Sequence, residues 1–132
     1  MSAHDVAVRE YSAPELFVDG EPGAPTRLPA SACTECRRVE FPYRAECPAC
    51  RGVMTRIDLE GPARARTVTA VLAQAPGALR QAPYGVCVAE FNEGICVIGL
   101  TEGPVGTGDR VEPVVVEAYA GRTTFGFRRL TG

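Results

Sequence analysis

The chain has no lysine; all fourteen of its basic residues are arginine. GC-rich, bacterial codon usage accounts for most of that bias. Its chemical result is a set of guanidinium groups, which suit bidentate phosphate binding better than ammonium groups do. Histidine is nearly absent too: His4 stands alone, close to the start of the chain. That removes the base that a Ser-His-Asp set or a Cys-His pair would need. There is also no phosphate-cradling glycine loop and no evident carboxylate dyad; Asp58 and Glu60 read as solvated loop charges.

No segment approaches the roughly 18 apolar residues that span a bilayer. The first residues, MSAHDVAVREYSAPELFVDG, lack the basic start and apolar run of a signal peptide. The chain therefore reads as cytoplasmic, with no membrane association and with reduced thiols. A formal net charge of -2 leaves no global field to draw in nucleic acid. Fourteen glycines and eleven prolines argue against a helical bundle.

The 132 residues make one domain or two very small ones, and a hydrophobic content of 45% permits a packed core. Charge is uneven. Residues 1–32 are net acidic, residues 33–80 hold eight arginines against five acids, and residues 81–132 are net acidic again.

The basic region contains CTECRRVEFPYRAECPAC, two C-x-x-C pairs separated by ten residues. Each such turn brings two thiolates to one side, so Cys33, Cys36, Cys47 and Cys50 can occupy the corners of a tetrahedron around one structural Zn2+ per chain. The spacer is shorter than the common one of about 15–20 residues, yet it is enough for a tight hairpin, with Pro42 and Pro48 marking its turns. Two disulfides, a redox dithiol and a rubredoxin-type iron site are the competing readings, and the ligand set alone separates zinc from iron poorly. Four thiolates leave no open coordination position, which argues against catalytic zinc. A segment this small cannot bury enough apolar surface by itself, so the metal replaces a core. Arg37, Arg38, Arg44 and Arg51 lie close enough in sequence to balance the site's negative charge. The other two cysteines, Cys87 and Cys96, sit in apolar runs and read as small core residues.

Before the cysteines, four prolines between residues 14 and 29 predict an extended arm, with a helical turn near Pro14 to Phe17. Leu16, Phe17 and Val18 would either pack back on the domain or dock a partner. After residue 64 the pattern turns to strands. Residues 65–72, 84–91, 95–100, 110–119 and 122–130 are alternating or β-branched runs, with a turn at Asn92-Glu93-Gly94. Pro113 predicts an edge or bulged position. Five short strands at this spacing indicate a small closed or partly closed barrel.

The order of these pieces resembles a known family, the acyl-CoA-associated zinc-ribbon/OB-fold proteins. The matching stretches are LPASACTEC (28–36), EFPYRAECPAC (40–50), ARARTVTAVL (63–72), APYGVCVAEFNEGICVIGL (82–100) and VGTGDRVEPVVVE (105–117). The resemblance runs from about residue 14 to near the end of the chain. It implies a mostly β fold: an N-terminal arm over 1–28, a rubredoxin-like zinc ribbon over 29–60 and a five-stranded OB-fold barrel over 61–132. One departure matters. The family usually has glycine directly after the second cysteine of the first knuckle, whereas Arg37 stands there and Arg51 follows Cys50. A left-handed backbone is cheapest as glycine, so each arginine there would cost roughly 1 kcal/mol.

By resemblance, such a chain is an accessory subunit. It pairs with a thiolase-like catalytic subunit, as a hetero-oligomer of two plus two, and helps hold the coenzyme A part of an acyl-CoA. Some relatives instead partner aldolases or hydratases acting on steroid side chains. Coenzyme A phosphates need cations and its adenine a flat surface. Arg80 and Tyr84 in and after the first barrel loop, Arg64 and Arg66 at the junction, and Arg38 and Arg44 on the ribbon are the candidates. A nucleic-acid module of zinc ribbon and OB barrel is a competing reading, which the net-negative barrel half disfavours. An iron-bearing electron carrier is another.

Overall fold

In a computed structural model, residues 17–18, 26–73, 76–77 and 80–131 are described. Among them there is no helix, and none long and apolar enough to cross a membrane. The expected helical turn at Pro14 to Phe17 lies outside the described residues except for Phe17, as does Leu16.

Eight strands form two sheets. β1 (Leu28–Cys33), β2 (Val39–Glu40) and β3 (Met54–Leu59) make an antiparallel sheet in the order β2-β1-β3. β4 (Ala63–Val71), β5 (Tyr84–Glu90), β6 (Cys96–Glu102), β7 (Arg110–Tyr119) and β8 (Arg122–Arg129) make a closed barrel in the order β4-β5-β6-β8-β7. The molecule is thus a cysteine ribbon followed by an OB-like barrel.

The five strands read from the sequence all form, each rich in β-branched or aromatic residues that suit a pleated sheet. The β5–β6 turn closes through two backbone bonds, Phe91 N–H to the Ile95 carbonyl and Gly94 N–H to the Phe91 carbonyl, both 2.9 Å. Gly94 supplies the φ of 86° that this turn needs. Pro113 lies beyond the two positions, Arg110 and Val111, at which β7 pairs with β4. Its missing N–H therefore faces an unpaired edge.

One core serves both sheets. Leu28, Ala30 and Leu59 from the ribbon cluster with Ala65, Cys87, Val111 and Phe127 from the barrel. Phe127 is fully buried and stacks edge-on to Phe125, while Phe41 from the ribbon hairpin meets Phe125 at 5.7 Å and 88°. The parallel β6–β8 pairing brings the chains close at Gly126. A Cβ there would lie 2.6 Å from the Leu100 carbonyl oxygen, so only glycine fits.

The arm packs back. Phe17 is 4% exposed and joins the core, and Val18 and Arg27 exchange backbone bonds of 2.7 and 2.9 Å. Phe17 is therefore withdrawn from any partner surface, and so is Phe127. The sequence reading of Cys96 as a core residue is corrected: Cys87 is buried, but Cys96 is exposed at the start of β6. Val97 takes the inward position instead, because successive residues of a strand face opposite ways.

Candidate metal centre

The two knuckles repeat one backbone pattern. In the first, Cys33 N–H donates to the Arg38 carbonyl at 2.8 Å and Arg37 N–H to the Cys33 carbonyl at 3.1 Å. In the second, Cys47 N–H donates to the Gly52 carbonyl and Arg51 N–H to the Cys47 carbonyl, both at 2.9 Å. Each knuckle turns at a left-handed residue, Arg37 with φ 65° and Arg51 with φ 67°, where the family resemblance placed a strained arginine. β1 and β3 fix the first and second knuckles relative to each other through the Cys33–Met54 pairing. Between the knuckles, Arg44 N–H donates to the fully buried Ser31 hydroxyl at 2.7 Å, pinning the hairpin to β1. Sequence reading missed Ser31; a serine inside LPASAC carries no signal that its hydroxyl anchors a loop.

The four Sγ atoms all lie within 4.8 Å of one another. Cys33 and Cys50 are 3.5 Å apart, and Cys36 and Cys47 3.6 Å. Zn–S bonds of about 2.3 Å in a tetrahedron require S–S edges of about 3.8 Å. The donor set thus fits a tetrahedral soft dication, and the sulfurs are too far apart to be disulfides, which need about 2.05 Å. Cys33 and Cys47 are buried beside Met54, while Cys36 and Cys50 face outward. A dication here would be held on all four sides, so its service is to clamp the ribbon.

The thiols' acidities are split as four crowded anions require. The backbone N–H groups of Cys36 and Glu35 pull the Cys33 thiol down to about 6. The Cys50 N–H lowers Cys47. The Gly52 N–H acts to lower Cys50, but bonds to the Cys33, Cys36 and Cys47 sulfurs, with burial, outweigh it and push Cys50 up to about 12. Cys36 is raised despite the Arg38 N–H, chiefly by Cys33. Not all four can ionise together without a cation.

Two of the four arginines near the site face carboxylates. Arg38 pairs with Glu40, whose hydrogen bond and charge raise the guanidinium's pKa more than the Cys47 and Cys36 sulfurs do. Arg51 reaches Glu46 at 4.0 Å. The Arg44 side chain is exposed.

On the barrel, Arg80 is engaged within the chain. β7 carries a bulge between Glu117 and Tyr119, and a bulge leaves carbonyls without ladder partners. Arg80 Nη1 donates to the Glu117 and Ala118 carbonyls at 2.6 and 2.7 Å, and its guanidinium sits 5.2 Å from the centre of the Tyr84 ring. Arg66, at the β4 bulge, pairs with Glu90 at 3.3 Å. Arg64 is exposed beside it. Arg38 and Arg44 lie on the ribbon, and Arg64, Arg66, Arg80 and Tyr84 on the barrel. Tyr84 also lines an apolar groove of about 510 Å³ with Phe41, Pro42, Ile98, Leu100 and Phe125, between the ribbon hairpin and the barrel. Ile98 is 66% exposed there.

A four-cysteine ribbon sharing one core with a closed five-stranded barrel defines a protein of zinc-ribbon-like and OB-like fold. No family profile matches the chain. The chain is similar to a DUF35 domain-containing scaffold protein of Methanothermobacter thermautotrophicus, 29% identical over 111 residues, covering 76% of this chain and 84% of that protein. In three dimensions it is similar to the Ltp2–ChsH2(DUF35) aldolase, with TM-score 0.63, 22% identity, 78% of this chain and 84% of the other. It is also similar to a DUF35-family protein of unknown function from Sulfolobus solfataricus, with TM-score 0.54, 16% identity, 79% of this chain and 76% of the other. These likenesses agree with the acyl-CoA-associated zinc-ribbon/OB-fold family that the sequence resembles.

Proposed function

We propose that this chain is a non-catalytic accessory subunit of an acyl-CoA enzyme complex. It docks on a thiolase-type catalytic subunit, clamps its own ribbon with one structural Zn2+, and helps hold the coenzyme A part of the substrate during carbon–carbon bond cleavage or formation. The carrying observation is the similarity, along 76% of this chain and 84% of the other, to a protein described as a scaffold. The chemistry of the chain fits this reading: four thiols lie together where they could hold a metal, and on this reading the reacting groups come from a partner.

An aldolase partner is the second reading, favoured by the fold it shares with a DUF35 chain in an aldolase. In either case the apolar groove with its exposed Ile98 is the surface this reading gives to the partner, since solvent-facing aliphatic groups beside a groove suit a protein interface. For coenzyme A, Arg64 and Arg44 have no ion-pair partner among the described residues. Arg38 and Arg66 would have to leave Glu40 and Glu90 to bind a phosphate. Tyr84 lines the groove, and Arg80 sits against its ring.

Co-purification of the tagged chain from its host, with mass spectrometry, tests the reading. A stoichiometric thiolase-like or aldolase polypeptide is expected, and Ile98→Asp should abolish its recovery while the metal stays bound. Turnover of an acyl thioester by the isolated chain would overturn the proposal, and so would salt-dependent single-strand nucleic-acid binding with no enzyme recovered.

A further inference from the structure

Arg64 on β4 and Arg110 on β7 are direct partners in the ladder that closes the barrel. Opposite residues of an antiparallel pair stand on one face with Cα atoms about 4.5–5.5 Å apart. Like charges placed so repel and destabilise the sheet. The usual remedy is a carboxylate between them, and three carboxylates are near in register or sequence. Each is already engaged. Glu90, Arg64's partner on β5, is bonded to Arg66 at 3.3 Å. Asp109 accepts from the Gly106 N–H at 2.7 Å. Glu112 takes Arg128 at 2.8 Å. Among the described residues no ion pair reaches Arg64 or Arg110.

The two arginines line a concavity of about 290 Å³ with Pro62, Asn92, the buried Ala63 and Phe91, and Glu90, whose carboxylate is held by Arg66. The exposed lining of this concavity is mostly polar, and the Asn92 amide adds a neutral donor to it. We propose that Arg64 and Arg110 form a binding site for a phosphate-bearing ligand, in which one dianionic group bridges the two guanidinium forks and relieves their repulsion. Two forks of N–H donors match the three oxygens and the charge of nearly -2 on a phosphate monoester better than they match a single carboxylate. The site stands on this geometry. Only the identification of its occupant as the phosphate end of coenzyme A rests on the function proposed above, and it adds Arg110 to the residues that would hold it.

The test is thermal unfolding of the full, metal-loaded chain titrated with inorganic pyrophosphate, and in separate arms with coenzyme A and with dephospho-coenzyme A. Pyrophosphate should raise the wild-type midpoint saturably. Arg64→Gln and Arg110→Gln should each weaken that response by about tenfold or more, the loss expected for one charge-assisted contact. Arg56→Gln, which removes the same charge from the ribbon, should not. An equal response in Arg110→Gln, or an equal loss in Arg56→Gln, would overturn the site, because either would reduce it to an effect of net charge. If pyrophosphate binds through the two arginines and neither coenzyme does, the site stands and the coenzyme part of the proposed function falls. If nothing binds, the site falls, while docking on a catalytic subunit is still judged by co-purification.

Discussion

Arg37 and Arg51 hold the same left-handed backbone position in two successive knuckles, at φ 65° and 67°, each directly after a cysteine of the metal centre. No other residue type is so poorly replaced there as one branched at Cβ, and none so well as glycine. Arg37→Gly or Arg51→Gly should raise the stability of the metal-bound protein by about 0.5 kcal/mol. That is the relief of left-handed strain of ~1 kcal/mol less the greater freedom of glycine in the unfolded chain. Arg37→Val should lose ~1 kcal/mol. Denaturant midpoints at constant metal settle the order Gly above Arg above Val; Arg above Gly would mean that the arginine side chains stabilise the knuckles by more than their backbone costs.

Metal removal should unfold the ribbon and leave strand signal from the barrel. Chelation should lower the unfolding midpoint by about 10 °C or more, because metal binding substitutes for a core that the knuckles lack. The dependence on pH has a definite sign. Cys33 is lowered to about 6 and Cys47 is lowered as well, so their contribution is complete above the ordinary thiol range and is lost as pH falls through the folded values. Cys50, pushed up to about 12, gives up its proton only when a dication is bound, so protons compete with the metal. Metal should be retained at pH 8 and released as pH drops through about 6, followed with a chromogenic chelator. Release that does not change over that range would contradict the four-thiolate site. A colourless protein with one zinc by elemental analysis would separate it from an iron carrier.

The barrel was readable wherever strands alternate. ARTVTAVL and RVEPVVVEAY alternate, and β4 and β7 form there, although within ARTVTAVL Ala65 alone is buried. ICVIGL hides its period because both faces are apolar, so nothing local says that Val97 faces in and Cys96 and Ile98 face out. The four cysteines were legible because their chemistry is local to two turns. The bulge at Ala118 that captures Arg80 was not, nor was the Arg64–Arg110 pairing, since each depends on strand register across long stretches of chain. Charge and loop position therefore pointed to Arg80 as a phosphate ligand, whereas the fold gives its Nη1 to two carbonyl oxygens.

Thiol labelling should divide the six cysteines into three classes. Cys96, exposed on β6, should react first. Cys33, Cys36, Cys47 and Cys50 should react only after chelation. Cys87 should react only on global unfolding, because its burial both shields the thiol and raises its pKa, leaving little thiolate. Counting modified residues by mass spectrometry at each stage checks this. Early labelling of Cys87 would mean that the barrel opens under native conditions, against the closed order of its strands.

Arg80 should matter to stability more than to ligand affinity. Its Nη1 completes the hydrogen bonding of two carbonyls at the β7 bulge, and the Tyr84 ring supports its guanidinium from below. Arg80→Ala would leave those carbonyls to water where they are exposed and unpaired where they are not, at a cost of about 1–3 kcal/mol. Arg80→Lys would keep a charge over Tyr84 but lacks the planar fork, so it should recover only part of the loss. In the reconstituted complex, well below either unfolding midpoint, Arg80→Ala should change KM for the acyl-CoA by less than about threefold, which is less than the value of one charge-assisted contact. A tenfold rise in KM with unchanged stability would reverse the assignment. The guanidinium would then be a phosphate ligand held ready by the bulge, and the groove beside Tyr84 would be where the nucleotide lies rather than where the partner docks.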